Sequence, residues 1–231
     1  DTLIEKYLAG EPLSPEEIAS GLVDAVASGG FVPIFVCMPL KEIGIDELLE
    51  GASRFFASPM TVTHEDVEGN PVESAADAPF AGLVCRSVND AFVGQLTFVR
   101  VFGGTLTSDT EVFNSSTQQK ERVGNVLAVN GKKQTQVVAA RAGDIVAIPK
   151  LKDTHVGNTL CAVGSNIVID PIHFPSPVMF QAVTAKTNAD EDKIGLALKR
   201  VCEEDPTLQV ERNTETHEII LKGLGDVHID V

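Results

Sequence analysis

The chain has 231 residues, 18 basic and 33 acidic side chains, and a formal net charge of −15. This length can bury a sizeable core and suits one to three modules. The acidity argues against a free-standing nucleic-acid binder, and no run of about 18 apolar residues is present to span a membrane as a helix. No basic segment followed by an apolar stretch opens the chain, so no secretory signal is visible. Four cysteines, Cys37, Cys85, Cys161 and Cys202, are widely spaced with no CxxC pair. That spacing predicts buried thiols in a reducing, cytoplasmic compartment rather than a disulfide frame or a metal centre.

Residues 1–58 read as helix, strand, helix. Ser14, Pro15 and Glu17 supply an N-cap, a proline at the first helical position and a capping-box glutamate. Ile18, Leu22, Val23 and Val26 follow at helical spacing, and Gly29 and Gly30 end the helix. Residues 31–37, mostly apolar, have the pattern of a parallel strand covered on both faces. Ile45, Leu48, Leu49, Ala52 and Phe55 then give a second amphipathic helix, which Pro59 ends. One β–α unit cannot make a domain, because its strand needs neighbours.

Residues 60–79 are an acidic connector with turn residues around Gly69 and Pro79. From residue 80 to 170 the pattern changes to short strands: 83–87, 94–102, 111–114, 121–129, 136–139 and 144–148. Gly103 with Gly104, and Asn130 with Gly131, mark tight turns, and Asn-Gly is a strong hairpin signal. The expected architecture is a closed or nearly closed β-barrel. Charge supports treating it separately: residues 1–80 carry 3 basic and 15 acidic side chains, 81–160 carry 9 and 6, and 161–231 carry 6 and 12. If any part meets a phosphate backbone, it is the mildly basic middle.

Residues 171–177, with three prolines, form a second linker. Within 178–231, Thr187 and Asp190 are spaced as a capping box, and Ile194, Ala197, Leu198 and Val201 make one apolar helical face. Asp205-Pro206 stops that helix. Residues 208–210 and 218–221, on either side of Asn213, read as a hairpin. Strand, helix and hairpin are half of a ferredoxin-like α+β sandwich.

The strings GLALKRVCEEDPTL (195–208) and GLGDVHI (223–229) resemble a signature of elongation factor G, the translational GTPase that moves tRNA and mRNA through the ribosome. Residues 87–106, 120–124 (KERVG), 142–147 (AGDIVA) and 151–161 are similar to that family's second domain, in its order and spacing. Residues 3–59 look like the end of its GTP-binding domain. The resemblance implies a multidomain fold: the end of a P-loop GTPase-type α/β domain over 1–59, a translation-factor β-barrel over 80–170, and a truncated ferredoxin-like domain over 178–231.

The same resemblance implies a cytoplasmic, ribosome-binding protein that uses GTP and Mg²⁺. The phosphate loop, Asp-x-x-Gly switch and Asn-Lys-x-Asp guanine reader of a GTPase do not occur in this sequence. The resemblance places them before Asp1, so no catalytic or metal-binding residue and no cofactor is expected within 1–231. Where the family has a Ser-Ala pair beside guanine, this chain has Cys37, Met38, Pro39 and Leu40, a remnant base-side loop that implies a diverged paralogue. Arg86, Arg100, Lys120, Arg122, Lys132 and Lys133 are the candidates for contacting ribosomal RNA phosphates. Two rivals stay open: a ribosomal-protection or release-type relative, and a GTPase-derived binding module without nucleotide chemistry. The incomplete sheets at both ends predict self-association through open strand edges.

Overall fold

A computed structural model describes residues 2–90, 93–185 and 187–230. The chain divides into two compact units, Asp1–Val62 and Thr63–Val231.

The first unit holds three helices, α1 (Thr2–Leu8), α2 (Pro15–Ala27) and α3 (Ile45–Phe55), with a 3-10 turn over Pro39–Lys41. The start of α2 is capped as its sequence requires. The Ser14 hydroxyl accepts the Glu17 N–H, and the Glu17 carboxyl accepts the Ser14 N–H. Helix α2 packs on α3, and the Phe35 ring lies over Gly51, where a Cβ would stand 2.2 Å from it. Residues 31–37, expected as a strand, form none. Ile34 and Val36 are 87% and 88% exposed, and no described strand lies alongside to take their backbone hydrogen bonds. An extended segment without a ladder partner has nothing to hold it as a strand.

In the second unit, the expected connector carries a short hairpin, β1 (His64–Glu65) with β2 (Pro71–Val72). The Asp66 carboxyl closes its turn by accepting the N–H groups of Glu68 and Asn70. Val72 is buried with Ala81, Leu83 and Ile169, so part of residues 60–79 packs down as structure instead of linking freely.

Ten strands follow: β3 (Ala81–Asp90), β4 (Gly94–Gly103), β5 (Thr105–Thr107), β6 (Thr110–Asn114), β7 (Gln119–Val123), β8 (Val126–Asn130), β9 (Lys133–Val137), β10 (Ala139–Arg141), β11 (Ile145–Pro149) and β12 (Thr159–Ala162). Eight form one antiparallel sheet in the order β7-β6-β12-β3-β4-β11-β8-β9, and β5 pairs with β10. Val123 on β7 and Val126 on β8 come from opposite ends of that order, yet both lie in one core with Val84, Val99, Ile148 and Leu160. The sheet is therefore rolled around a single core, and the paired Leu106 and Ala140 of the β5–β10 ribbon complete it. The strand expected over 121–129 is two strands, because the chain turns at Gly124 and Asn125 to pass from one end of the sheet to the other.

The segment after the proline-rich linker reads β13 (Met179–Val183), α4 (Asn188–Glu204), β14 (Gln209–Arg212), β15 (Ile219–Gly223) and α5 (Asp226–Asp230), with strand order β13-β15-β14. Helix α4 stops before Pro206. At its start the Thr187 hydroxyl donates to the Asp190 carboxyl at 2.6 Å and makes no cap bond to a helix N–H, so the expected capping box does not form. The other end of α4 docks on the barrel: Glu204 Oε1 accepts the Asn89 N–H of β3 at 2.7 Å. Strand β12 covers β3 only over residues 81–83, so Asn89 lies beyond its reach, and the carboxyl satisfies an amide that would otherwise lack a ladder partner.

Cys161 is buried and Cys85 and Cys202 are partly buried, but Cys37 is exposed, unlike the buried thiol expected. Burial raises the pKa of Cys85, Cys161 and Cys202; Asp205 and Glu203 push Cys202 further up. No helix among the described residues is long and apolar enough to cross a membrane.

Candidate nucleic-acid interface

The outer face of β3–β4 is set by one extra residue. Val84 pairs with Val99 and Arg86 with Phe98, so Cys85 is an unpaired bulge residue. A bulge shifts the alternation of side chains along a strand. Val84 therefore points into the core while Arg86, two residues on, is exposed beside Phe98. Arg100 lies on the same face two residues beyond Phe98, diagonal to Arg86. Its guanidinium sits 5.4 Å from the centre of the Phe102 ring, and His64 meets that ring edge-on at 4.7 Å. Burial, with a smaller contribution from the Arg100 charge, lowers the His64 pKa.

The β8–β9 ribbon folds back over this face. Asn130 pairs with Lys133 across a two-residue turn, with Gly131 in the left-handed region at φ +57°. Gln134 on β9 donates to the Asp90 carboxyl at the end of β3, at 3.1 Å. Between ribbon and hairpin is an open cleft of about 910 Å³. Val88, Leu96, Phe98 and Val129 line its floor, and Arg86 and Lys132 stand on its rim.

Of the six cations expected to meet RNA, the structure places Arg86, Arg100 and Lys132 around this face, with Lys133 next to Lys132 at the turn. Lys120 and Arg122 lie on β7, at the other end of the sheet order, both exposed as the period-two pattern requires. Each faces a carboxylate of the β6 hairpin: Lys120 is 3.3 Å from Glu111 and Arg122 is 3.7 Å from Asp109. Exposed pairs of this kind are worth about 0–1 kcal/mol, but they offset the positive charge offered to a phosphate.

Glu121, between those two cations, is a residue that the charge pattern does not single out. It is 6% exposed and its carboxyl accepts the N–H groups of Lys152 and Asp153 and the Thr154 hydroxyl. This fixes the loop that carries two further exposed cations, Lys150 and Lys152. A signal for it exists in the sequence: if residues 120 and 122 point out, residue 121 points in.

Cys37, Met38, Pro39 and Leu40 form an exposed turn closed by the Met38 N–H bonding to the Ile43 carbonyl, and Leu40 is fully exposed. The four side chains present a mainly apolar surface. Among the described residues, no group of three or more His, Cys, Asp or Glu could hold a metal ion.

The strings 195–208 and 223–229 meet at Asp205. Its carboxyl accepts the Thr207 N–H and hydroxyl, and its second oxygen lies 3.0 Å from His228 Nε2. The Leu224 N–H donates to His228 Nδ1, so that nitrogen is the acceptor and Nε2 carries the proton. Burial alone would raise the Asp205 pKa, but these hydrogen bonds outweigh it and hold it below the usual carboxylate range. A depressed pKa stabilises the fold above the unfolded value of about 3.9 and loses that contribution as pH falls through the folded value. Because the Asp205 side chain is 40% exposed and solvent screens it, Asp205→Asn should lower stability at pH 6 by only about 0.5–1 kcal/mol and make this segment less sensitive to acid below about pH 4. Urea melts of both proteins at pH 6 and pH 3 check this, and equal acid sensitivity would remove Asp205 from the account.

A rolled antiparallel barrel followed by a β-α-β-β segment in the order 1-3-2, with cations on the barrel's outer face, defines the barrel-and-sandwich class found in translation factors. Residues 79–163 match the family elongation factor G domain 2, and residues 174–231 match elongation factor G, domain III. A crystal structure of a protein from Thermus thermophilus is similar over 100% of the chain, with 28% identity and a TM-score of 0.83. The chain spans 33% of that protein's length. The chain is elongation-factor-G-like and carries the second and third domains of that family.

Proposed function

We propose that the chain is part of an elongation-factor-G-like GTPase that acts on the ribosome during protein synthesis, with the barrel as its RNA-facing surface. The observation that carries this is the succession of the two elongation factor G domains in one chain. In this reading residues 1–59 are the end of a GTP-binding domain, and their exposed apolar side chains, Ile34, Val36 and Leu40 among them, are covered by the rest of it. GTP and Mg²⁺ bind in that remaining part, and residues 1–231 are catalytically silent. Nucleotide-driven rearrangement is passed to the barrel, and from there to the third domain through α4. The outer edge of β13 is unpaired among the described residues, and a further strand, from a second copy or elsewhere, would add there.

A GTPase-derived binding module without nucleotide chemistry is the second reading, favoured by the apolar turn at residues 37–40. Both readings use the barrel surface, which charge reversal tests. Replacing Arg86 and Lys132 with Glu should weaken ribosome association and flatten its salt dependence by about one logarithmic slope unit per lost phosphate contact. Reversal of Lys120 and Arg122 should flatten it less, since both already face carboxylates. An unchanged slope in the Arg86/Lys132 variant would remove this face from the contact.

A further inference from the structure

We propose that Glu121, buried in the barrel, is the positioning residue of the joint between the barrel and helix α4. Through the loop over residues 150–158 it builds the seat for the last turn of α4, and Glu204 latches the helix there. This extends the reading above, in which motion reaches the third domain through α4. It stands on contacts within the chain, so its failure would leave the ribosomal reading intact.

The seat is shaped from inside the barrel. Glu121 on β7 accepts the N–H groups of Lys152 and Asp153 and the Thr154 hydroxyl. Asn114 on β6 donates to Thr154 Oγ1 and Asn158 Oδ1, and Asn158 Oδ1 also accepts the His155 N–H. The far end of the loop is tied to β3: the Val84 N–H donates to the Asn158 carbonyl and the Gly157 N–H to the Val84 carbonyl. The outer side of this fixed loop meets the helix. His155 and Val156 line a small cleft of about 270 Å³ together with Lys199, Cys202, Glu203 and Pro206. At the same end of α4, the Glu204 carboxyl accepts the Asn89 N–H at 2.7 Å.

The charge pattern of α4 fits a latch better than a free helix end. Glu203, Glu204 and Asp205 crowd its C-terminus, where the helix dipole disfavours negative charge. Each has a use there. Asp205 holds Thr207 and His228, Glu203 lines the joint, and Glu204 is the acceptor for a barrel amide. Hydrogen bonds to ionised groups are stronger than neutral ones, so one carboxylate can hold a small interface. Such an interface opens locally, without unfolding the domains on either side. Displacing its seat should therefore release α4, whereas weakening the barrel elsewhere should not.

Cys202 reports the joint. It lines the cleft and is partly buried, and that burial, with Asp205 and Glu203, keeps its thiol pKa high. Opening the joint exposes the thiol and eases its ionisation, and both speed its modification. Cys161, buried in the barrel, reports barrel unfolding, and exposed Cys37 gives a reference rate. The test follows labelling of the native chain by a thiol reagent, resolved site by site by peptide mass. Glu204→Ala should speed Cys202 about tenfold, as expected on losing one hydrogen bond to a charged group, and leave Cys161 unchanged. Glu204→Gln keeps an acceptor oxygen and should have a smaller effect. Glu121→Ala should speed Cys202 by a similar factor, and Glu121→Gln by less. Val123→Ala, on the same strand with its side chain in the barrel core, should speed Cys161 but not Cys202. If Cys202 stays slow in both Glu121→Ala and Glu204→Ala, there is no such joint. If Val123→Ala speeds Cys202 as much as Glu121→Ala does, Glu121 acts only through barrel stability, and the proposal is overturned.

Discussion

Glu121→Ala is expected to destabilise the barrel by about 3 kcal/mol, since each buried donor left without an acceptor costs about 1–3 kcal/mol. Strand β7 alternates so that Glu121 and Val123 face inward while Lys120 and Arg122 face solvent. The inward carboxyl serves two backbone amides and a hydroxyl of residues 152–154. Asn114 supports the same loop, its amide donating to Thr154 Oγ1 and Asn158 Oδ1. Alanine removes the shared acceptor and strands above all the Thr154 hydroxyl, which is 1% exposed. Glu121→Gln keeps one carbonyl oxygen and should cost less than half as much. Urea unfolding measures the difference, and amide exchange at Lys152 and Asp153 should accelerate in the alanine variant. A loss below about 1 kcal/mol, within the usual range of a surface substitution, would show that the loop holds itself.

Gly104→Ala should cost about as much, by a different mechanism. Gly104 follows β4 with φ +65°, and a Cβ there would stand 2.4 Å from the Ala78 carbonyl oxygen and 2.6 Å from the Phe80 nitrogen. The left-handed conformation alone costs a non-glycine residue about 1–2 kcal/mol. The backbone of residues 78–80 must also shift, and overpacking of this kind costs about 1–3 kcal/mol more. Gly131 separates the two effects. It has φ +57° with nothing within 4 Å of the added carbon, so Gly131→Ala should show the conformational cost alone. For a domain of this size about 1 kcal/mol moves the melting temperature by 2–4 °C, so Gly104→Ala should melt roughly 10 °C lower and Gly131→Ala only a few degrees lower. Equal shifts would mean that the approach of residues 78–80 carries no strain.

Much of the fold is legible in local patterns. The Ser14–Glu17 cap, the Pro206 stop and the Asn130-Gly131 turn each depend on residues adjacent in sequence, and each appears in the structure. What escapes such patterns depends on partners far along the chain. Residues 31–37 have the composition of a strand but no described strand beside them. Strands β5 and β12, at three and four residues, are too short to announce a period and exist because neighbours pair with them. The hairpin at residues 64–72 has the composition of a polar linker, because only Val72 is buried in the cluster it joins.

The site divides in the same way. Basic residues in the middle of the chain are identifiable from sequence, as is the shared face of Lys120 and Arg122. Their neutralising partners, Asp109 and Glu111, lie across a hairpin, and no spacing rule singles them out. The cleft needs two events: the bulge at Cys85 that turns Arg86 outward, and the fold-back of the β8–β9 ribbon fixed by Gln134 on Asp90. Neither has a sequence signature by itself.

On the reading proposed above, an acidic chain binds the ribosome through one locally basic barrel face. Co-sedimentation of the purified chain with ribosomes, across a salt series, tests it most directly. The expected result is retention at low salt that falls linearly in log–log form as salt rises, with a shallower slope when Arg86 and Lys132 are reversed. Absence of binding at low salt, or binding that neither salt nor the reversal alters, would contradict it.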